Sequence, residues 1–82
     1  MIPQTSSDEV FTMHIQQQLG ARIRQFRQKK GWSQEEFADR CGIHRSHMGE
    51  IERGRANITL ATLVVIAQTL DTSAATLLKD IA

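Results

Sequence analysis

The chain has 82 residues, 40% of them hydrophobic and 23% charged, which is enough for one small globular domain and too little for two. A lone cysteine excludes an internal disulfide, no apolar run approaches a membrane span, and the opening residues MIPQTSSDEV lack the basic and apolar regions of an export signal. Net charge is only +1, yet from Gly20 to Arg55 nine Lys/Arg stand against five acids, while the remainder carries one lysine and four acids. A basic middle with an acidic remainder is the asymmetry left by a face that docks on a polyanion. The expected setting is the cytoplasm, without membrane association. Arg22, Lys29 and Lys30, taken singly, read as solvated helix positions.

Residues 1–12 are mostly polar, with Pro3 and a T-S-S run. They are expected to form a flexible arm, at least the first five residues being mobile, or to extend the first helix, with residues 13–82 as the domain. The capping pattern at Ser6 to Glu9 allows that helix to begin as early as Ser7. Phe11, Ile15, Leu19, Ile23 and Phe26 then recur at steps of four, four, four and three, one helical stripe expected to be core. Gly20 inside it weakens the helix by about 1 kcal/mol relative to Ala and implies close packing or a kink. Gly31 ends the helix after two lysines, whose charges suit a helix C-terminus.

The run S-Q-E-E at Ser33 to Glu36 is a capping box, with Trp32 and Phe37 placed as a hydrophobic staple. The helix it starts should end near Cys41, because Gly42 supplies a left-handed C-cap. A second short helix follows from about His44, with Met48 and Ile51 on its core face and Arg45, Ser46, His47, Gly49, Glu50 and Arg53 on the other. Gly54 is read as its C-cap. Thr59 caps a fourth helix with a Leu60, Leu63, Ile66, Ala67, Leu70 stripe, and Ser73 caps a fifth with Leu77, Leu78 and Ile81. Five helices, short connections and no strand signal predict an all-α domain.

The tight pair of helices over residues 34–53 is a helix-turn-helix. Its Ala38, Gly42, Met48 and Ile51, together with L-G-A-R-I-R-Q-F-R-Q-K-K-G-W-S-Q-E-E-F-A before and I-E-R-G and T-L-A-T-L-V-V-I-A-Q-T-L after, resemble the XRE/λ-repressor-like family over roughly residues 19–78. The resemblance implies a compact five-helix DNA-binding domain and a sequence-specific regulator. I-E-R-G-x-x-N-x-T-L further resembles the restriction–modification controllers, small dimeric members of that family. Two departures from the family pattern stand out: His44 replaces the usual Ser or Thr cap, a change expected to add pH sensitivity, and the frequent loop proline is absent from R-A-N-I-T.

Side chains near the start of a recognition helix meet base edges, and those at its end meet phosphates. Arg45, Ser46 and Glu50 are therefore expected to read bases, with Gly49 giving the helix backbone close approach. Gln34, His47, Arg53, Arg55 and Asn57 are expected at phosphates, Gln34 also bracing Arg45. The resemblance supports Gln34, Arg45, Ser46 and Glu50 in these places, and it implies that Arg27 and Glu52 form a structural pair. The inventory lacks a nucleophile–base arrangement or a phosphate loop, so no enzyme and no cofactor are expected. Cys41, His44 and His47 have a C-x2-H-x2-H spacing but no fourth ligand, so no metal is expected either. The partners implied are double-stranded DNA on a near-palindromic operator and a second copy of the chain, joined through Leu77, Leu78 and Ile81. The rival reading is an antitoxin-type module that chiefly binds an unidentified protein.

Overall fold

The computed structural model describes residues 4–81, with side chains from Glu9 onward. Five helices occupy these residues and no strand is found among them: α1 (Gln4–Lys29), α2 (Gln34–Cys41), α3 (Arg45–Glu52), α4 (Leu60–Thr69) and α5 (Ala74–Leu78). α1 packs on α3 and α5, α2 on α3 and α4, and α4 on α5. The domain is all-α and of the λ-repressor-like five-helix type.

Local signals decide most of the helix ends. Ser33 is extended and its hydroxyl accepts from the Glu36 amide at 3.0 Å. The reciprocal half of the expected capping box is not formed, because the Glu36 carboxylate turns one helical turn onward to Arg40 at 3.0 Å. Trp32 stacks on Phe37 with ring centroids 6.0 Å apart, and the Arg40 guanidinium covers the indole at 4.4 Å. Gly42 takes φ 70°, which lets the Ile43 amide reach Ala38 O at 2.9 Å and closes α2. Thr59 and Ser73 cap α4 and α5 through the amides of Thr62 and Thr76.

The core is built by Ile23 of α1, Phe37 of α2, Met48 and Ile51 of α3, Ile66 of α4 and Leu77 of α5, all nearly or fully buried. Three sequence expectations change here. Helix α1 begins at Gln4, ahead of Ser7, so Gln4 and Thr5 are helical; residues 1–3 of the expected mobile stretch lie outside the described residues. The helix passes residues 12 and 13 without a break. Phe11 and Leu60, both placed on core stripes, are 58% and 74% exposed. Periodicity assigns a face, and at these two positions that face stays largely open to solvent.

Gly20 marks the closest approach of α1 to α3. A β-carbon built there would stand 2.4 Å from Ile51 O and 2.7 Å from Glu52 O. Close packing, and not helix breaking, is its role, since α1 continues for nine residues beyond it. Gly54 repeats the contact from the opposite side: at φ 76°, its β-carbon would fall 2.6 Å from Gln17 Cα. Gly20→Ala should therefore destabilise the domain by about 2 kcal/mol, overpacking outweighing the gain in helix propensity. Ala21→Gly, one residue along on the exposed side, should cost about 1 kcal/mol for the opposite reason. Urea unfolding of the pair tests the contact, and a stabilised Gly20→Ala variant would refute it.

Candidate nucleic-acid interface

The base of α3 is fixed by a buried ionic cluster. Arg27 on α1 donates from Nε to Glu52 Oε2 at 2.8 Å and from Nη2 to Glu52 Oε1 at 2.9 Å. The two side chains are 11% and 2% exposed. Arg27 Nη1 also donates to Trp32 O at 2.9 Å, and Gln34 Nε2 of α2 donates to Glu52 Oε1 at 3.1 Å. One carboxylate thus ties the last residue of α3 to α1 and to the start of α2. Among the described residues no buried side-chain nitrogen or oxygen lacks a partner.

On that base α3 presents its polar side. Arg45, Gly49 and Arg53 follow at four-residue steps, with Ser46 and Glu50 beside them, while Met48 and Ile51 point inward. Arg45, Ser46, His47, Arg53, Arg55 and Asn57 are exposed and Glu50 is half-exposed. Each leading arginine holds an acid: Arg45 Nη1 meets Glu35 Oε2 of α2 at 3.0 Å, and Arg53 Nη2 meets Glu50 Oε2 at 2.8 Å. The Arg53 hydrogen bond holds the Glu50 carboxyl below its ordinary range, so Glu50 remains an acceptor-only group. Beyond the ends of α1 and α4, Lys30 at 2.7 Å lowers Asp71 in the same way.

Several assignments shift. Gln34 does not brace Arg45, because its amide nitrogen is engaged by Glu52 and the bracing acid is Glu35. Gly49 is buried; a β-carbon there would stand 3.1 Å from Arg53 Nη2 and 3.3 Å from Gln34 Oε1, so these two side chains cover the backbone that was expected to be open. Asn57 in the loop after α3 accepts from Gln16 of α1 through its side-chain oxygen. Leu77 is fully buried in its own core, leaving Leu78 and half-buried Ile81 of the trio expected at a dimer contact. Arg22, read as solvated, donates to the carbonyls of Thr76, Leu77 and Lys79 and fastens the end of α5 to α1. Glu35 and Arg22 carry no local signal, since each partner is remote in sequence.

His44 acts as the cap of α3. Its Nδ1 accepts from the Ser46 amide at 3.3 Å and lies 2.8 Å from Ser46 Oγ. Only a ring with Nδ1 free of its proton accepts that amide. Cys41 is half-buried, and burial raises its thiol above the ordinary value against a hydrogen bond with Thr69 that lowers it. Among the described residues no three His, Cys, Asp or Glu side chains gather as a metal-ligand group, and no helix is long and apolar enough to cross a membrane.

A rigidly seated short helix with a basic, polar outer face, preceded by a capped helix across a glycine turn, defines a helix-turn-helix DNA-binding domain. The chain belongs to the helix-turn-helix family HTH_3, which matches residues 23–77, and is a transcriptional regulator of the XRE, repressor-like kind. It is similar to the control protein C.SmaI of Serratia marcescens, with 37% identity over 70 residues covering 85% of this chain and 83% of that one. The crystal structure of the restriction-modification controller protein C.AhdI from Aeromonas hydrophila matches with TM-score 0.72 at 38% identity, over 74% of this chain and 92% of that one. The crystal structure of SinR, the master regulator for biofilm formation, in complex with DNA matches with TM-score 0.71 at 37% identity, over 74% and 98%. Against the full SinR of Bacillus subtilis (strain 168), 36% identical over 63 residues, the chain spans 57% of that protein's length.

Two substitutions separate scaffold from surface. Arg27→Ala leaves the Glu52 carboxylate buried with only Gln34, and should lower stability by about 3–5 kcal/mol. Base preference in the folded fraction should be unchanged, as measured by urea unfolding beside selection of bound sites. His44→Ala should cost about 1 kcal/mol while His44→Thr restores it, because a hydroxyl supplies the same acceptor to the α3 amides.

Proposed function

We propose that the chain binds a near-palindromic operator as a homodimer, laying α3 in the major groove of each half-site. The observation that carries this reading is the exposed face of α3, where Arg45, Ser46 and Glu50 stand on a helix anchored through Glu52. Arg45 lies at the helix start, where its planar fork matches guanine O6 and N7; ionised Glu50 accepts from cytosine N4, and Ser46 tolerates either role. Gln34, His47, Arg53, Arg55 and Asn57 surround this strip and serve as phosphate contacts that set register. Residues 13–82 form the binding domain, with residues 1–12 as an arm. The similarity to SinR, crystallised in complex with DNA, and to restriction-modification control proteins supports the reading.

Arg45 and Arg53 then differ in kind. Arg45→Ala should cost about 1–3 kcal/mol on the selected operator and flatten preference at one base pair per half-site. Arg53→Ala should weaken specific and non-specific binding together and reduce the salt slope by roughly 0.9 per lost contact. Salt titrations of both variants, on the selected operator and on one-base changes of it, make the comparison. Reversed effects would mean that α3 enters the groove at another angle.

A further inference from the structure

His44 departs from the other helix caps in its reach and in what it does to its neighbour. Ser33, Thr59 and Ser73 each accept from the amide three residues on, at 3.0, 3.1 and 3.0 Å. His44 Nδ1 accepts from the amide two residues on, and the same nitrogen lies 2.8 Å from the hydroxyl of that residue, Ser46. Where a capping hydroxyl faces another hydroxyl, as Ser73 faces Thr76, either oxygen can donate. A ring nitrogen without a proton has no such freedom. The Ser46 amide hydrogen is directed at Nδ1, so the neutral ring carries its proton on Nε2, and the Ser46 hydroxyl is the donor of the 2.8 Å contact. We propose that His44 is a positioning residue that sets base choice: by holding the Ser46 hydroxyl proton it turns Ser46 into an acceptor towards the major groove, selecting a base that presents an exocyclic amine there, adenine N6 or cytosine N4.

The inference rests on the base-reading role proposed above for Ser46 and narrows its two hydrogen-bonding roles to one. A serine hydroxyl owns one hydrogen and two lone pairs, so once the hydrogen is spent on Nδ1 only acceptor capacity remains. Donating also polarises the oxygen and strengthens it as an acceptor. Both side chains are exposed, so those lone pairs are open to a ligand. At guanine O6 or thymine O4 the same oxygen would meet a second lone pair. To donate there it would have to abandon Nδ1, leaving the ring with only the amide at 3.3 Å. A change from A·T to G·C exchanges amine and carbonyl at one place in the major groove, and that is the exchange such a serine would detect.

The test uses the full chain as wild type, His44→Thr, Ser46→Ala and the double variant, with thermal unfolding to establish that each is folded. A threonine caps through the amide three residues on, as Thr59 does, and so keeps α3 while releasing Ser46. Selection of bound duplexes by wild type and by Ser46→Ala first locates the base pair that Ser46 reads. Removing only the amino group of that pair, with a purine or pyrimidone that lacks it, should weaken wild-type binding about fivefold and His44→Thr binding less than about twofold. In the Ser46→Ala background His44→Thr should change nothing at that pair. Proton–nitrogen NMR correlation of the neutral ring should place the His44 proton on Nε2 in the wild type. A proton on Nδ1, wild-type binding indifferent to the amine, or an unchanged preference in folded His44→Thr overturns the role given to His44 while Ser46 keeps its place at the bases. A Ser46→Ala variant that selects the same operator as wild type removes Ser46 from the base edges, and the base-reading assignment falls together with this inference.

Discussion

The carboxylate of Glu52 is the point on which three helices meet. It takes two hydrogen bonds from Arg27 and one from Gln34, and its residue ends the recognition helix. A buried ion pair is poor evidence of net stability, because desolvation offsets its attraction. Its value here is directional: the fork of Arg27 accepts only one seating of α3 on α1. Gly20 and Gly54 make that seating tight, since no side chain keeps the two backbones apart. In the proposed complex the contact with DNA would inherit its geometry from this cluster.

The reading surface is otherwise lightly held. Its arginines rest on exposed carboxylates, and such pairs add little to stability. A rigid backbone with adjustable side chains suits the role proposed for this surface, which is to fit both shared phosphates and one chosen sequence. Arg22 gives the distal end a comparable anchor, collecting three carbonyls at the end of α5, so both ends of the fold are tied back to α1.

Much of this is legible in the sequence. Ser33, Gly42, Thr59 and Ser73 act through their own neighbours along the chain, so caps and turns announce the helices and their order. What sequence conceals is contact between distant segments. Phe11 and Leu60 lie in register with buried residues, but register says nothing of whether another helix covers them. Leu77 and Leu78 look alike in sequence, and the ~100° step between neighbouring helical residues buries the first while exposing the second. Glu35 stands in a capping run that already explains an acid there, which hides its pairing with Arg45. Gly49 reads as an open position, yet Gln34 of α2 reaches across to cover it together with Arg53.

The acids beside the arginines also bear on how such a protein searches a genome. Each guanidinium arrives with a tethered competitor for its charge: Glu35 for Arg45 and Glu50 for Arg53. A phosphate on arbitrary sequence must displace that internal anion, and what it gains over the pair it breaks is small. In the proposed complex Arg45 would exchange its carboxylate for two acceptors on one guanine, while Glu50, released by Arg53, would find a donor of its own. On that reading self-neutralisation opposes every landing and is compensated only at the matching one, which would shorten residence on irrelevant DNA.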